Sequence, residues 1–132
     1  MLKRGIFHPQ LSRVLAELRH MDTLVIGDAG LPIPKGVERV DLGWRAGDPA
    51  YLAVLEEILK AMVVEKAVFA TEAKTVSPEF HKAAQALLPP KLPVEYVSHN
   101  ELKQQSAAAK AIILTGEFTP YTNVILTCGC AY

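Results

Sequence analysis

Polar side chains at four places in the chain could bind a hydroxyl-rich small molecule and move its protons. They are Asp28 after a short apolar run, His99 with Lys103 four residues later, the segment 116–123, and His20. Together they supply a carboxyl group, two imidazoles, an amine, a phenol and an amide, all of which form hydrogen bonds with hydroxyl groups. Because imidazole titrates near neutral pH, the two histidines are candidates for general acid–base catalysis.

His20 is predicted to lie at the end of the first helix, where the helix dipole favours the protonated imidazole that a general acid requires. An interaction with the dipole alone is the structural alternative. Asp28 precedes a loop with two glycines and two prolines over residues 29–36. Its carboxylate either serves the site or binds the backbone amides of that loop.

His99 falls in the first turn of a predicted helix, and Lys103 lies on the same helical face. The structural alternative is an ordinary first-turn histidine and a lysine that pairs with Glu101 or with solvent. Tyr121 and Asn123 are two residues apart, and on extended backbone this spacing directs both side chains to one face. Their alternative role is to support the turn into the last strand.

The elements that must position these residues alternate between short apolar strands and amphipathic helices. Strands are predicted at 23–27, 37–42, 67–70, 94–97, 111–114 and 124–127, and helices at 9–20, 48–62, 77–88 and from 98 onward. This alternation predicts a three-layer α/β fold, with helices on both faces of a mainly parallel sheet of about six strands. Ligands of such sheets bind beyond the carboxyl ends of the strands.

Several local details follow from the same patterns. Asp48-Pro49 and Ser77-Pro78 each read as a cap followed by a first-turn proline, and Ser98 to Glu101 reads as a capping box. His81 follows the core-facing Phe80, so we expect it on the solvent side of its helix with no role. The last two strands have no helix between them and could pair antiparallel.

Composition limits the classes of function. The chain of 132 residues is predicted to form one domain, 1–132, and its fourteen basic residues balance fourteen acidic ones. No net field gathers nucleic acid or an anionic membrane, and no apolar run approaches the length of a membrane span. With no signal peptide and with Cys128 and Cys130 expected to be reduced, we expect a cytoplasmic protein.

Motifs for other chemistries are missing from the sequence. There is no phosphate-binding glycine loop, no HExxH metal motif and no GxSxG nucleophile elbow, and the four histidines lack metal-ligand spacing. The residues alone therefore predict a site for a polar metabolite at the ends of the strands.

Two loop motifs carry a resemblance to a known family. Gly5, His20, the run 26–34 (IGDAGLPIP), Ser98-His99 and the run 115–123 (TGEFTPYTN) resemble the D-ribose pyranases. These form the RbsD branch of the RbsD/FucU family of sugar mutarotases and pyranases, and the resemblance covers essentially the whole chain. The terminal segment 127–132 is not typical of the family.

This resemblance implies His20 as the catalytic residue and proton donor, with sugar contacts from Asp28, His99, Tyr121 and Asn123. Lys103 is a further substrate-binding residue by the same resemblance. It also implies an isomerase that needs no cofactor or metal and opens the D-ribose ring by acid–base chemistry. The expected assembly is a homodecamer of two pentameric rings with each site near a subunit interface.

Two alternatives remain open at this stage. One is the same chemistry on another sugar, L-fucose in particular. The other is a non-catalytic oligomer that binds ribose without accelerating its ring exchange. Two imidazoles favour catalysis, because a simple binding protein has less need of groups that titrate near pH 7.

Overall fold

A six-stranded sheet with helices on both faces forms the frame of the molecule, and the computed structural model describes all residues from Met1 to Tyr132. The strands are β1 Thr23–Gly27, β2 Glu38–Asp41, β3 Val64–Ala70, β4 Val94–Val97, β5 Ala111–Leu114 and β6 Val124–Cys128. The helices are α1 Pro9–Glu17, α2 Tyr51–Ala61, α3 Ala73–Val76, α4 Pro78–Leu87 and α5 His99–Gln105, with a 3-10 turn at Ser106–Ala108.

The strand order is β2-β5-β1-β6-β3-β4. β6 runs antiparallel to both of its neighbours, β1 and β3, while the remaining pairs are parallel. Five strands therefore end at one edge of the sheet, and β6 begins at that edge. The predicted three-layer α/β fold with a mainly parallel sheet of six strands is confirmed.

Alternation along the strands divides the core between the two faces of the sheet. Leu24 and Ile26 of β1 face a larger cluster formed with α1, α2 and α4. Val25 faces a smaller cluster that includes Leu102 of α5. The apolar runs that predicted buried strands are thus buried on both faces, as expected when helices cover both faces of a sheet.

Two helix ends differ from the sequence-based expectation. α1 ends at Glu17, so His20 lies beyond the helix rather than at its last residue. α2 begins at Tyr51, with Ala50 and not Asp48 at the N-cap position. Asp48 instead forms an ion pair with Arg45, and an acidic side chain from a distant loop binds the first amide of α2.

The placement of His81 on the solvent side of α4 was wrong. His81 is buried, and its ring packs edge-on against Phe69 of β3, with centroids 4.8 Å apart. The inward stripe of α4 runs through His81 and Ala84 rather than through Phe80. The Tyr96 hydroxyl forms a hydrogen bond with the imidazole Nε2 at 2.7 Å, which offsets the cost of burying this polar ring.

The suggested pairing of the last two strands was also wrong. β5 pairs with β1 and β2, and β6 inserts between β1 and β3. The loop 115–123 crosses from one side of β1 to the other, so it passes over the edge where β1 ends. This crossing places the second loop motif beside the first.

Other expectations agree with the structure in whole or in part. Ser98 caps α5 by accepting a hydrogen bond from the Glu101 amide at 3.1 Å, but the Glu101 carboxylate accepts from Gln105 and does not complete the predicted capping box. Cys128 and Cys130 are both free, as expected. Ser77 stands at the N-cap of α4, although its hydroxyl donates to the Pro120 carbonyl instead of capping the helix. None of the helices combines the length and the apolar character that crossing a membrane requires.

Candidate active site

An open cleft of about 440 Å³ lies at the edge where the parallel strands end. Asp28, the two residues after it and His99 line this cleft. The loop from Glu117 to Tyr121 completes the lining. The structure thus brings three of the sequence-predicted residues, Asp28, His99 and Tyr121, to one cleft.

The topology explains why residues so far apart in sequence meet here. Asp28 follows β1 and His99 follows β4, and both strands end at this edge. Tyr121 and Asn123 precede β6, which runs in the opposite direction and therefore begins at the same edge. An antiparallel strand in the middle of the sheet adds its preceding loop to a site otherwise built from strand exits.

Asn123 holds Asp28 from behind the cleft. Its Oδ1 accepts a hydrogen bond from the Asp28 amide at 2.9 Å, and its Nδ2 donates to Asp28 Oδ2 at 3.0 Å. The Gly30 amide donates to the other carboxylate oxygen at 3.0 Å. Because Asn123 is fully buried and does not line the cleft, the structure presents it as the support of Asp28.

Burial raises the pKa of Asp28, and the hydrogen bonds from Gly30 and Asn123 oppose that shift. The charge of His99 also opposes it, which places the imidazole within electrostatic range of the carboxylate. A carboxyl group whose pKa lies closer to neutrality exchanges protons more readily at physiological pH. Asp28 is therefore suited both to binding a hydroxyl group and to accepting its proton.

His99 is fixed at both its backbone and its ring. Its amide donates to both carboxylate oxygens of Glu72, at 3.1 and 2.9 Å, and its ring meets Tyr121 edge-on with centroids 5.0 Å apart. Its Nδ1 is buried without a hydrogen-bond partner in the protein. Tyr121 has a φ of 62°, a left-handed conformation that the surrounding loop must hold in place.

Glu117 is a buried carboxylate whose role the sequence interpretation missed. Its Oε1 accepts from the Tyr51 amide at 3.2 Å, at the start of α2, and its Oε2 accepts from the Thr119 hydroxyl at 2.9 Å. Its carbonyl accepts from the Ala29 amide at 2.9 Å. Glu117 thus joins α2 to both loops of the cleft, and a negative charge at a helix N-terminus is favourable. Glu117 is the one charged residue of the loop motif 115–123, and this was the available signal.

Lys103 lies apart from the cleft lining. It is half-buried on α5 and forms no ion pair, so the suggested pairing with Glu101 is absent. The Glu101 carboxylate accepts a hydrogen bond from Gln105 instead. Lys103 is not among the residues that line the cleft, and its part in substrate binding stays a prediction.

His20 lies at the opposite edge of the sheet. It precedes β1, and the neighbouring Met21 amide donates to the Cys128 carbonyl at the far end of β6. Five residues of β1 separate the two edges, which corresponds to about 16 Å. His20 is exposed, and its Nε2 lies 3.0 Å from Glu65 Oε2. Within one chain His20 does not reach Asp28.

The groups of the cleft can bind a neutral polyhydroxyl molecule and exchange its protons. Asp28 and His99 supply a carboxylate and an imidazole, and Tyr121 adds an aromatic ring beside them. No group of three or more His, Cys, Asp or Glu side chains is arranged to hold a metal ion. Acid–base chemistry is the reaction type for which these residues are equipped.

The chain is similar to known proteins in both sequence and structure. The model of the RbsD / FucU transport protein family matches residues 1–131. The D-ribose pyranase of Laribacter hongkongensis is 52% identical over 98% of each chain. RbsD of Bacillus subtilis, whose structure is a complex with D-ribose, is 42% identical over 100% of both chains with a TM-score of 0.95. The fucose mutarotase of Streptococcus pneumoniae shares the fold at 23% identity, with a TM-score of 0.78.

Proposed function

This chain belongs to the RbsD / FucU family, and from that premise we propose that it is an isomerase that interconverts the pyranose and furanose forms of D-ribose. The observation that carries the proposal is the cleft beside Asp28, His99 and Tyr121, in a fold that matches the D-ribose-bound relative over its whole length. The much higher identity to D-ribose pyranases than to the fucose mutarotase favours ribose over fucose.

The reaction needs only proton transfers. A proton is delivered to the ring oxygen and another leaves the anomeric hydroxyl, so the bond between C1 and the ring oxygen breaks and an open-chain aldehyde forms. The open chain then rotates, and the hydroxyl on C4, next to the carbon that carried the ring oxygen, attacks C1. This closes the five-membered ring, and the protons are returned. General acid–base catalysis of this kind contributes about 10²–10⁴-fold.

In our proposal the cleft residues bind the sugar hydroxyls and His20 protonates the ring oxygen. Asp28, His99 and Tyr121 line the cleft, and Asn123 keeps the Asp28 carboxylate in place. Since Asp28 and His20 of one chain lie at opposite edges of the sheet, His20 has to come from a second copy. Exposed apolar side chains near both places, Met21 beside His20 and Phe118 at the cleft, support an association between copies.

The first test is the rate of D-ribose ring exchange, followed by NMR saturation transfer in an equilibrated sugar solution. We expect wild-type protein to accelerate the exchange and His20→Ala to lose that acceleration while remaining folded and assembled. Acceleration of L-fucose exchange instead would reassign the substrate. Binding of ribose with no acceleration of either sugar would establish the non-catalytic alternative.

The second test asks whether each site combines two chains. Inactive His20→Ala and Asp28→Ala proteins are dissociated, mixed and reassembled, and about a quarter of the sites then unite an intact cleft with an intact His20 from the neighbour. We expect activity to return in this mixture. A matched mixture of Asp28→Ala with His99→Ala regains none, because both residues belong to the same cleft. Equal results for the two mixtures would refute a site shared between copies.

The number of subunits in the assembly and the cellular location of the protein stay predictions. A homodecamer of two pentameric rings is expected, and sedimentation equilibrium of the intact chain measures it directly. A cytoplasmic location is likewise a prediction, which fractionation of the producing cell tests.

A further inference from the structure

A second, much smaller cavity lies behind the wall of the cleft. Its volume is about 10 Å³, close to the space that one water molecule requires. It is lined by side chains of α2, β3, α3 and α4, and by the segment Tyr121–Asn123 that precedes β6. The same segment therefore faces the cleft on one side and this cavity on the other.

Tyr51 of α2 lines this cavity. Its side chain is only 1% exposed, and its hydroxyl has no hydrogen-bond partner in the protein. Burial raises the pKa of this phenol, and the charge of Asp28 adds to the shift, which places Tyr51 within electrostatic range of the cleft carboxylate. The hydroxyl is therefore both neutral and in need of a partner, because an unpaired buried hydroxyl is costly.

His81 of α4 lines the same cavity. It is 8% exposed, and its Nδ1 has no partner in the protein. Its Nε2 is already engaged by the Tyr96 hydroxyl, which also accepts from Gln85 at 2.8 Å. Burial lowers the pKa of His81, so the ring is neutral and one of its nitrogens is a donor and the other an acceptor.

We propose that this cavity binds one water molecule, held by the Tyr51 hydroxyl and His81 Nδ1. A water molecule both donates and accepts, so it pairs with Nδ1 in either tautomer and with the phenol in either direction. The volume excludes any larger ligand, and an apolar occupant would leave both polar atoms unpaired. Buried waters in proteins characteristically occupy such places between otherwise unpaired polar groups.

The bound water connects the support of the cleft to the second layer of the protein. It links α2 to the His81–Tyr96 pair and lies beside Asn123, which holds Asp28. This inference is independent of the sugar and of the reaction, and its test uses no activity measurement.

A crystal structure of the intact protein at high resolution gives the direct test. We expect density for a single water within hydrogen-bond distance of Tyr51 Oη and His81 Nδ1. A dry cavity would overturn the proposal.

The variant Tyr51→Phe gives a second test, because a water-bound hydroxyl and an unpaired hydroxyl predict stability changes of opposite sign. If the hydroxyl is bound to water, its removal destabilises the fold, and we expect the unfolding equilibrium constant to rise about fivefold. If the hydroxyl is unpaired, its removal relieves a cost and stabilises the fold, which would contradict the proposal. Tyr132→Phe removes an exposed hydroxyl and serves as the matched control with no expected change.

Discussion

Replacing Asn123 with Asp tests the buried pair that holds the cleft carboxylate. The substitution keeps the shape of the side chain and exchanges one NH₂ group for an oxygen. In the wild-type protein that NH₂ donates to Asp28 Oδ2 at 3.0 Å. In Asn123→Asp two carboxyl groups would face each other at this distance, inside the protein.

The magnitude follows from comparing two costs. Two charges at 3.0 Å repel by about 5.5 kcal/mol at an effective dielectric constant near 20. Keeping one proton on the pair costs less. A carboxyl group with an ordinary pKa near 4 costs about 1.4 kcal/mol to hold protonated for each pH unit above its pKa, which makes about 4 kcal/mol at pH 7. We therefore expect the variant to fold with one bound proton and to lose about 4 kcal/mol of stability at pH 7, and about 1.5 kcal/mol at pH 5.

The direction of the pH dependence follows from proton linkage. The folded variant binds one proton more than its unfolded chain, so the pair's folded pKa is raised and stability falls as pH rises. Urea unfolding of wild type and variant at pH 5 and pH 7, at one protomer concentration, measures both values.

A swapped pair provides the control. Asn123→Asp combined with Asp28→Asn restores one amide opposite one carboxylate, and every hydrogen bond of the wild-type pair can form again. We expect the double variant to regain most of the stability and to lose the extra pH dependence. A deficit in Asn123→Asp that is small or the same at both pH values would refute the geometry on which this reasoning rests.

Two further predictions concern the frame of the cleft. Gly116→Ala places a Cβ against the backbone of Asp48, so we expect the free energy of unfolding, measured thermally or in urea, to fall by about 1–3 kcal/mol. Gly30→Ala is the comparison: its Cβ meets its nearest neighbour at 3.6 Å, and this variant should lose less stability. Glu72→Ala leaves the His99 amide unpaired, and we expect D-ribose binding measured by calorimetry to weaken about tenfold, whereas Glu72→Gln retains an acceptor and should weaken it about threefold or less. Equal effects of Ala and Gln would show that the Glu72 hydrogen bond does not position His99.

Local sequence patterns determined the elements and the class of fold. The apolar stripe of α1 and the buried runs of β1 and β5 follow from periodicity, and Ser98 caps α5 as its type predicts. These features depend on neighbours within a few residues, which a sequence displays directly. The two loop motifs also indicated the family and contain Asp28 and Tyr121, while the predicted strand 94–97 put His99 just after a strand end.

The pairing of distant residues was decided by the tertiary structure. Asp28 and Asn123 are 95 residues apart and meet only because β6 runs antiparallel beside β1. Glu117 replaces the expected cap of α2 for the same reason, since its loop crosses the end of β1. No local pattern encodes which strand a loop will cross.

His81 and His20 show the same division between sequence and structure. The sequence gives each a helical or near-helical position, but burial of His81 depends on Phe69 and Tyr96 from two strands of the sheet. β1 lies between His20 and Asp28 and places them at opposite edges, and the loops that complete the cleft gather only at the edge of Asp28. Periodicity in the sequence determines which face of a helix or strand is apolar. The order and direction of the strands determine which side chains meet, and that order is established only when the whole chain packs.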